Sequence, residues 1–270
     1  MLVDDLPPRL RDMVEGKPPL EGRVGLVTGI ANEHSIAYGC ARAMRALGAE
    51  LAVTYLNEKA HRYVAPLAER LEAPEVLQLD VTQDDMVDDV FAAVEKRWGR
   101  LDFVLHSMAF APKEDLHGRV VDTSRAGFTQ AMDISCHSFA RMAQRAEPLM
   151  VGGGTMITMS YLGAVRVVDN YNVMGPVKAA LESLTRYMAA ELGPKGIRVH
   201  AVSPGPLRTR AASGISDFDT LLDKVASDSP LHALVSIDDV GFTTAFLCTD
   251  YARMITGNVV YVDGGYNIVA

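Results

Sequence analysis

Short runs rich in Val, Leu and Ile alternate with longer segments of helical period along the chain from Gly22 onward. This alternation is typical of parallel strands joined by crossover helices, because such strands are buried on both faces. The runs predict about seven strands, at residues 24–28, 51–55, 75–79, 103–105, 155–159, 198–202 and 259–262. Helices predicted between them include residues 35–47, 86–98, 171–192 and 237–247. We expect an α/β fold with a single doubly wound parallel sheet and helices on both faces.

The domain organisation follows from where this alternation begins and ends. No linker rich in Pro, Ser or Gly interrupts it, so residues 22–270 are predicted to form one Rossmann-type domain. Residues 1–21 contain two Pro-Pro pairs and no steady period, and they are predicted to form an irregular arm. The N-terminus is acidic where a signal peptide would be basic, and no apolar run approaches the roughly 18 residues that cross a bilayer. We therefore expect a cytoplasmic protein without a membrane partner.

The charge balance and the metal-ligating residue types exclude other classes. The chain has 34 acidic residues against 26 Lys and Arg, a formal net charge of −8. Such an excess repels polyphosphate backbones, so no nucleic-acid partner is expected. The three cysteines are far apart without a C-x-x-C motif, and the seven histidines never pair at metal-ligand spacing. We expect neither a disulfide framework nor a bound metal.

The loop after the first predicted strand, TGIANEHSIAYG, has the features of an anion site. Gly29 and Ala31 allow a close backbone approach, and Ser35 stands at the expected N-cap of the next helix. The spacing departs from G-x-G-x-x-G, so the loop alone fits a simple turn as well as it fits a phosphate site.

The ends of the second and third predicted strands bear on the choice of cofactor. An acid that binds both ribose hydroxyls of NAD often follows the second strand, but the first acid here is Glu58. No Arg for a 2′-phosphate follows at once, although Lys59 and Arg62 lie on the next helix. NADH is therefore favoured, with NADPH as the alternative. Asp80 and Val81 suit an adenine contact, although Asp80 could equally cap the following helix.

Two tyrosines and a lysine carry the chemistry after the fifth predicted strand, namely Tyr161, Tyr171 and Lys178. On a helix, seven residues turn by about 700°, so Tyr171 and Lys178 are predicted to share a face. Both can then act on one ligand beyond the carboxyl end of a strand, where ligands bind in such sheets. The alternative is that Tyr171 is a core residue and Lys178 a solvated charge.

Five segments carry a resemblance to a known family, and they are TGIANEHSIAYG, HSMAFAP, SYLGAVRVVDNYNVMGPVKAALE, GPLRTRAASGI and VDGGY. The chain resembles the short-chain dehydrogenase/reductase superfamily and, within it, the enoyl-acyl-carrier-protein reductases of type II fatty-acid synthesis. Ordinary members of the superfamily place the tyrosine four residues before the lysine, where this chain has Met174. The longer spacing marks the enoyl-reductase branch.

The longer spacing also has a chemical interpretation. In a ketone, charge develops on the oxygen of the carbon that accepts hydride, whereas in an enoyl thioester it collects on an oxygen two carbons away. Three extra helical residues would move the stabilising hydroxyl by about 4.5 Å in that direction.

The resemblance implies reduction of the trans-2 double bond of an enoyl thioester by NADH, in fatty-acid elongation. Tyr171 would stabilise the enolate and could deliver its proton, Lys178 would hold the nicotinamide ribose, and Tyr161 would line the substrate side. The implied cofactor contacts are Gly29, Ser35, Ile36, Asp80, Val81, Ser107, Ala109, Lys178, Leu207 and Thr209. The implied substrate contacts are Ala109, Tyr161, Met174, Ala211, Ile215 and Phe218. His106 ends a strand near the nicotinamide and is expected to be structural.

The same resemblance bears on partners. Residues 203–222 resemble the family's mobile substrate-binding segment, with an amphipathic surface helix as the alternative. The acids Asp217, Asp219 and Asp223 stand where relatives are more basic, so the thioester carrier is predicted to be acyl carrier protein or coenzyme A. A homotetramer is implied. The rival hypotheses are a 3-ketoacyl or other carbonyl reductase, against which Met174 argues, and a dinucleotide-binding regulator without turnover.

Overall fold

Seven parallel strands form one sheet in the computed structural model, which describes residues 16–209 and 218–270. The strands are β1 (Val24–Thr28), β2 (Glu50–Tyr55), β3 (Glu75–Gln78), β4 (Phe103–His106), β5 (Gly154–Met159), β6 (Ile197–Pro204) and β7 (Val259–Val262). Their order is β3-β2-β1-β4-β5-β6-β7 and every pairing is parallel. The strand order reverses between β1 and β4, so these two neighbours form the switch point at which ligands bind in such sheets. The predicted fold class is confirmed.

The helices of the described residues cover both faces of this sheet. They are α1 (Ile36–Ala46), α2 (Glu58–Arg70), α3 (Asp84–Trp98), α4 (Lys113–Leu116), α5 (Arg125–Met132), α6 (Ser138–Ala146), α7 (Met174–Leu192), α8 (Phe218–Asp228) and α9 (Ile237–Cys248). A π-helical segment, Asp133–His137, joins α5 to α6. None of these helices is long and apolar enough to span a membrane.

The chain buries one apolar cluster on each face of the sheet. On one face, Val90 and Phe139 lie in the same cluster as Leu181 of α7. On the other face, Met44 of α1 and Val240 of α9 pack with Val27 and Ile157 of the sheet. The inner strands β1 and β4 are wholly buried, which explains why they appear as continuous apolar runs in the sequence, whereas the edge strands β3 and β7 are partly buried.

One predicted helix begins later than expected. Residues 171–192 were predicted to be helical from Tyr171, but α7 begins at Met174. The residues on either side of Tyr171 adopt left-handed backbone conformations, with φ of 59° at Asn170 and 40° at Asn172. Because a right-handed helix cannot continue through such residues, Tyr171 belongs to the turn before the helix. Its predicted place on the helical face of Lys178 is wrong.

Candidate active site

The loop after β1 and the loop after β4 touch at the switch point of the sheet. Gly29 has a φ of 94°, and a Cβ at this position would lie 2.0 Å from the backbone oxygen of Ser107. Only glycine fits both the backbone conformation and the available space. Because Gly29 has no side chain, the backbone of the loop after β1 is open to a ligand at the carboxyl end of the central strands. This arrangement fits the close approach of a dinucleotide pyrophosphate.

Ser35 occupies the N-cap position predicted for it, but its hydroxyl does not cap the helix. The Oγ atom instead accepts hydrogen bonds from the backbone N–H groups of Ala31 and Asn32, at 3.0 and 3.1 Å. Ser35 therefore shapes the loop, and its side chain leaves the first-turn N–H groups of α1, which begins at Ile36, without a cap. Uncapped N–H groups at a helix start are an anion-binding feature.

The residues after β3 divide between the surface and the core. The Asp80 carboxylate accepts hydrogen bonds from the Thr82 backbone N–H at 3.0 Å and the Thr82 hydroxyl at 2.7 Å. Val81 is buried among the apolar side chains beside α3 and α6, and its carbonyl accepts a bond from Arg141. Its side chain thus leaves little surface for the adenine contact predicted from the sequence. After β2, Leu56 is 54% exposed and no carboxylate follows it directly.

His106 at the end of β4 is a buried connector between two elements. Its Nδ1 atom lies 2.9 Å from the Thr158 hydroxyl oxygen of β5, and its Nε2 atom lies 2.7 Å from that of Ser138 in α6. Burial, reinforced by the charge of Lys178, lowers the pKa of His106 to about 3. The imidazole is neutral at physiological pH, which agrees with the expected structural role. Beyond it, Ser107 is partly buried and Ala109 is exposed.

Tyr161 and Tyr171 come together after β5. Their ring centroids are 4.8 Å apart, with the planes inclined at 61° in an edge-to-face arrangement. Gly163 makes room for this pair, because a Cβ there would lie 2.4 Å from the Tyr171 ring. Burial raises the pKa of Tyr161 to about 12, and burial with the neighbouring Tyr161 and Glu182 raises the pKa of Tyr171 further. Both phenols are therefore protonated hydrogen-bond donors at neutral pH.

Lys178 is buried beneath the same strand end. Only 4% of this residue is exposed, and its Nζ atom donates a hydrogen bond to the backbone oxygen of Met159 at 2.6 Å. Burial lowers the pKa of the ammonium group to about 8, and Cys136 and Glu182 oppose that shift. A buried ammonium group at a strand's carboxyl end is unusual for a purely structural lysine. The alternative of a solvated charge is wrong.

Glu182 is a buried acid that the sequence reasoning missed. It lies one helical turn after Lys178 on α7, and its Oε1 atom accepts a hydrogen bond from the Ser160 hydroxyl at 2.6 Å. The spacing of four residues from Lys178 was the available signal, because residues i and i+4 share a helix face.

The predicted substrate residues are dispersed. Met174 is buried in the core at the start of α7, which leaves its side chain little surface for the predicted substrate contact. Phe218 is partly exposed at the start of α8, and Leu207 and Thr209 are partly buried after β6. Ala211 and Ile215 lie outside the described residues. Across residues 16–209 and 218–270, no three His, Cys, Asp or Glu side chains come together as a metal site.

The sheet order, the loop after β1 without a side chain at Gly29, and the buried lysine and paired tyrosines that follow β5 define a reductase of the short-chain dehydrogenase/reductase superfamily. A family model described as enoyl-(acyl carrier protein) reductase matches residues 29–267. The chain belongs to this enoyl-acyl-carrier-protein reductase family, and the resemblance stated from the sequence is confirmed.

Individual relatives agree with this assignment. The chain is 48% identical over 251 residues to enoyl-acyl-carrier-protein reductase (NADH) 2 of Rhizobium meliloti (strain 1021), which covers 93% of this chain and 94% of that protein. The crystal structure of the NADH-dependent enzyme from Aquifex aeolicus VF5 has 46% identity and a TM-score of 0.89, over 92% of this chain and 98% of that one. The structure of the Anaplasma phagocytophilum protein, in complex with NAD, has 47% identity and a TM-score of 0.90, and the match covers 93% of this chain and 96% of that one.

Proposed function

We propose that this chain reduces the trans-2 double bond of enoyl thioesters carried by acyl carrier protein, with NADH as hydride donor, in fatty-acid elongation. One observation carries the proposal: the position four residues before Lys178, where ordinary members of the superfamily have a tyrosine, holds a methionine buried in the core. The phenols near the end of β5 are instead Tyr161 and Tyr171, and Lys178 is bonded to that strand end.

The residues present fit a dinucleotide. Gly29 and the N-terminus of α1, with Ser35 and Ile36, would accommodate the pyrophosphate through backbone N–H groups. Asp80 would contact the adenine end, and Lys178 would bond the nicotinamide ribose. The nicotinamide half of the dinucleotide would be bordered by Ser107, Ala109, Leu207 and Thr209. When bound, NADH supplies the hydride.

Tyr171 would act on the thioester oxygen. Its pKa is raised by burial, so the phenol stays protonated and donates a hydrogen bond to the oxygen on which charge collects during conjugate reduction. Such a donor stabilises the enolate more than the ground-state carbonyl, and it is placed to pass on its proton. Lys178, as an ammonium ion, would add positive potential beside the phenol and the ribose.

Tyr161 would line the substrate side. It packs against the small apolar cluster formed by Leu162, Val225 and Tyr266. It thus connects the catalytic loop to α8, which overlaps the C-terminal end of the predicted substrate segment. The acyl chain of the substrate would be covered by Ala109, Ala211, Ile215 and Phe218.

We also propose the cellular setting implied by the family. The enzyme would act in the cytoplasm as a homotetramer, with residues 22–270 as the catalytic domain and residues 1–21 as an N-terminal arm. Acyl carrier protein would deliver the substrate, and a coenzyme A thioester would be the alternative substrate.

The direct test mixes the purified chain with NADH or NADPH and either a trans-2-enoyl or a 3-ketoacyl thioester, each on acyl carrier protein and on coenzyme A. We expect oxidation of NADH with the enoyl thioester and formation of the saturated product by mass spectrometry. Reduction of the ketone alone would establish the ketoreductase instead. NADH binding without turnover of either substrate would establish the regulatory alternative.

A further inference from the structure

Glu182 and the proposed catalytic Lys178 lie one helical turn apart on α7, and both are bonded to the residues at the end of β5. Glu182 is only 4% exposed, and its carboxylate accepts the Ser160 hydroxyl at 2.6 Å. Lys178 donates to the carbonyl of Met159, the residue before Ser160. Tyr161 is the residue after Ser160. The acid and the base are thus both bonded to consecutive residues of the strand end that carries Tyr161.

The strand pairing leaves further polar atoms at this position. The backbone N–H of Ser160 donates to the Val202 carbonyl at 2.7 Å, which places Ser160 beside Ser203 of β6. The Ser203 hydroxyl is buried and has no hydrogen-bond partner in the described structure. The space between α7 and the ends of β5 and β6 is therefore polar rather than apolar. A buried carboxylate is less costly to maintain in such surroundings.

Several charged or titratable groups of the described residues interact with this pair. Around Glu182 these are Lys178 and Arg186 on α7, Tyr171 before α7, and Tyr261 of β7. Around Lys178 they are Glu182, Cys136 of the π-helical segment and His106 of β4. Arg186 is exposed, so water screens its charge. Among these groups, Lys178 is the buried cation near Glu182.

We propose that Glu182 is a positioning residue: its carboxylate, held by Ser160, keeps Lys178 in the ammonium form and fixes the end of β5 from which Tyr161 projects. The proposal rests on the function proposed above only for the role of Lys178 at the nicotinamide ribose. A negative charge one helical turn from a buried ammonium group opposes its deprotonation. A lysine that lost its proton could not supply positive potential to the ribose or to Tyr171.

The pKa directions agree with this arrangement. Burial lowers the pKa of Lys178 to about 8, and Glu182 is one of the two groups that raise it again. Burial raises the pKa of Glu182, while the hydrogen bond from Ser160 and the charges of Arg186 and Lys178 lower it. The alternative hypothesis is that Glu182 is protonated and uncharged, so that it only fills space and bonds to Ser160. An isosteric amide distinguishes the two, because it retains the shape and removes the charge.

The experiment compares wild type with Glu182→Gln, Ser160→Ala and the control Glu191→Gln, an exposed acid on the same helix. NADH affinity is measured without substrate between pH 6 and 10 by nicotinamide fluorescence, followed by kcat over the same range. The alkaline limb of each profile is the pH range in which NADH affinity and kcat fall because Lys178 loses its proton. For Glu182→Gln we expect this limb to lie about one pH unit lower than in wild type, so that NADH binds about tenfold more weakly at a given pH within it. Binding near pH 6 should change little. Ser160→Ala should shift the limb less, in the same direction, and Glu191→Gln should match wild type.

Glu182→Gln and wild-type profiles that coincide would overturn the proposal, as would a loss of affinity that is equal at every pH. Melting temperatures show whether each variant folds. If Glu182→Gln does not fold, Ser160→Ala is the deciding variant, and an alkaline limb that is unshifted in Ser160→Ala would also contradict the proposal. Failure of the proposed function gives a different result: wild type binds NADH yet leaves enoyl thioesters unreduced, while the binding profiles still test Glu182.

Discussion

The Tyr161 and Tyr171 rings meet edge to face at a centroid distance of 4.8 Å, although Tyr161 lies shortly after β5 and Tyr171 lies shortly before α7. The loop between them closes because Gly163 has no side chain to displace the Tyr171 ring. Asparagines in the left-handed conformation flank Tyr171 on both sides, and the side-chain amide of Asn172 donates to the Leu116 carbonyl of α4. The position of the proposed catalytic phenol is thus determined by loop conformation and not by a helix.

Replacement of Tyr171 by Phe should separate chemistry from packing. The ring contact with Tyr161 is retained, but the hydrogen-bond donor to the thioester oxygen is lost. We expect kcat to fall by about 10² to 10³, with NADH affinity unchanged. Steady-state kinetics and fluorescence titration measure the two effects. Tyr161→Phe is the matched control, and a larger loss of kcat in that variant would assign the oxygen contact to Tyr161 instead.

Replacement of Lys178 by Met should weaken cofactor binding as well as turnover. The variant removes the ammonium group while filling similar volume, so we expect the dissociation constant of NADH to rise by about tenfold or more. The exposed Lys96→Met on α3 is the control for a general change of charge. Equal NADH affinity in the two variants would contradict the proposed role at the ribose.

Gly29→Ala should destabilise the protein and impair NADH binding together. The added methyl group would meet the Ser107 carbonyl at 2.0 Å in a backbone conformation that alanine rarely adopts. Strain and overpacking of this kind cost about 2 to 4 kcal/mol of unfolding free energy. Gly152→Ala provides the control, because a Cβ there meets nothing within 4 Å. Urea unfolding should show a clear difference between the variants, and similar midpoints would show that the loop can move apart.

His106 should make folding stability depend on pH in the acid range. Burial lowers its pKa from 6.5 to about 3, so between these values the unfolded chain binds a proton that the folded chain does not. Stability therefore rises with pH through this window and is lost as pH falls. His106→Gln should destabilise the protein by about 1 to 3 kcal/mol at pH 7, through its two hydroxyl contacts.

The cost of His106→Gln should shrink as the pH is lowered from 7 towards 4, because the variant has no proton to exclude at this position. Urea unfolding at several pH values measures the effect, with the exposed His34→Gln as control. Parallel stability curves for wild type and His106→Gln would contradict this account of the histidine.

The sheet was predictable from the sequence because its signal is local. The inner strands are apolar runs that are almost wholly buried, and the edge strands β3 and β7 are partly buried. The predicted ends of all seven strands agree with the observed ends to within two residues. The start of α7 was not predictable in the same way. The period of the apolar residues continues back to Tyr171, and only the left-handed conformations of Asn170 and Asn172 end the helix there.

The site residues whose chemistry follows from their residue type were predictable from the sequence. The residues whose role depends on burial were less predictable. Tyr161, Tyr171 and Lys178 stood out as reactive types near one strand end. Glu182 did not, because its burial and its bond with Ser160 arise from the packing of α7 on the end of β5 and not from its residue type. The burial of Val81 and Met174, two predicted contact residues, was also not predictable, because only tertiary contacts reveal it.

The contact between Gly29 and Ser107 has a consequence for altering this enzyme. The Ser107 carbonyl oxygen occupies the place where a side chain at position 29 would lie, so any side chain added there would strain both central loops. An engineer who wishes to change the preference between the two nicotinamide dinucleotides must leave this junction alone. The exposed Leu56 at the end of β2 is the accessible place to start, since a cation or an acid introduced there would meet solvent and not the core.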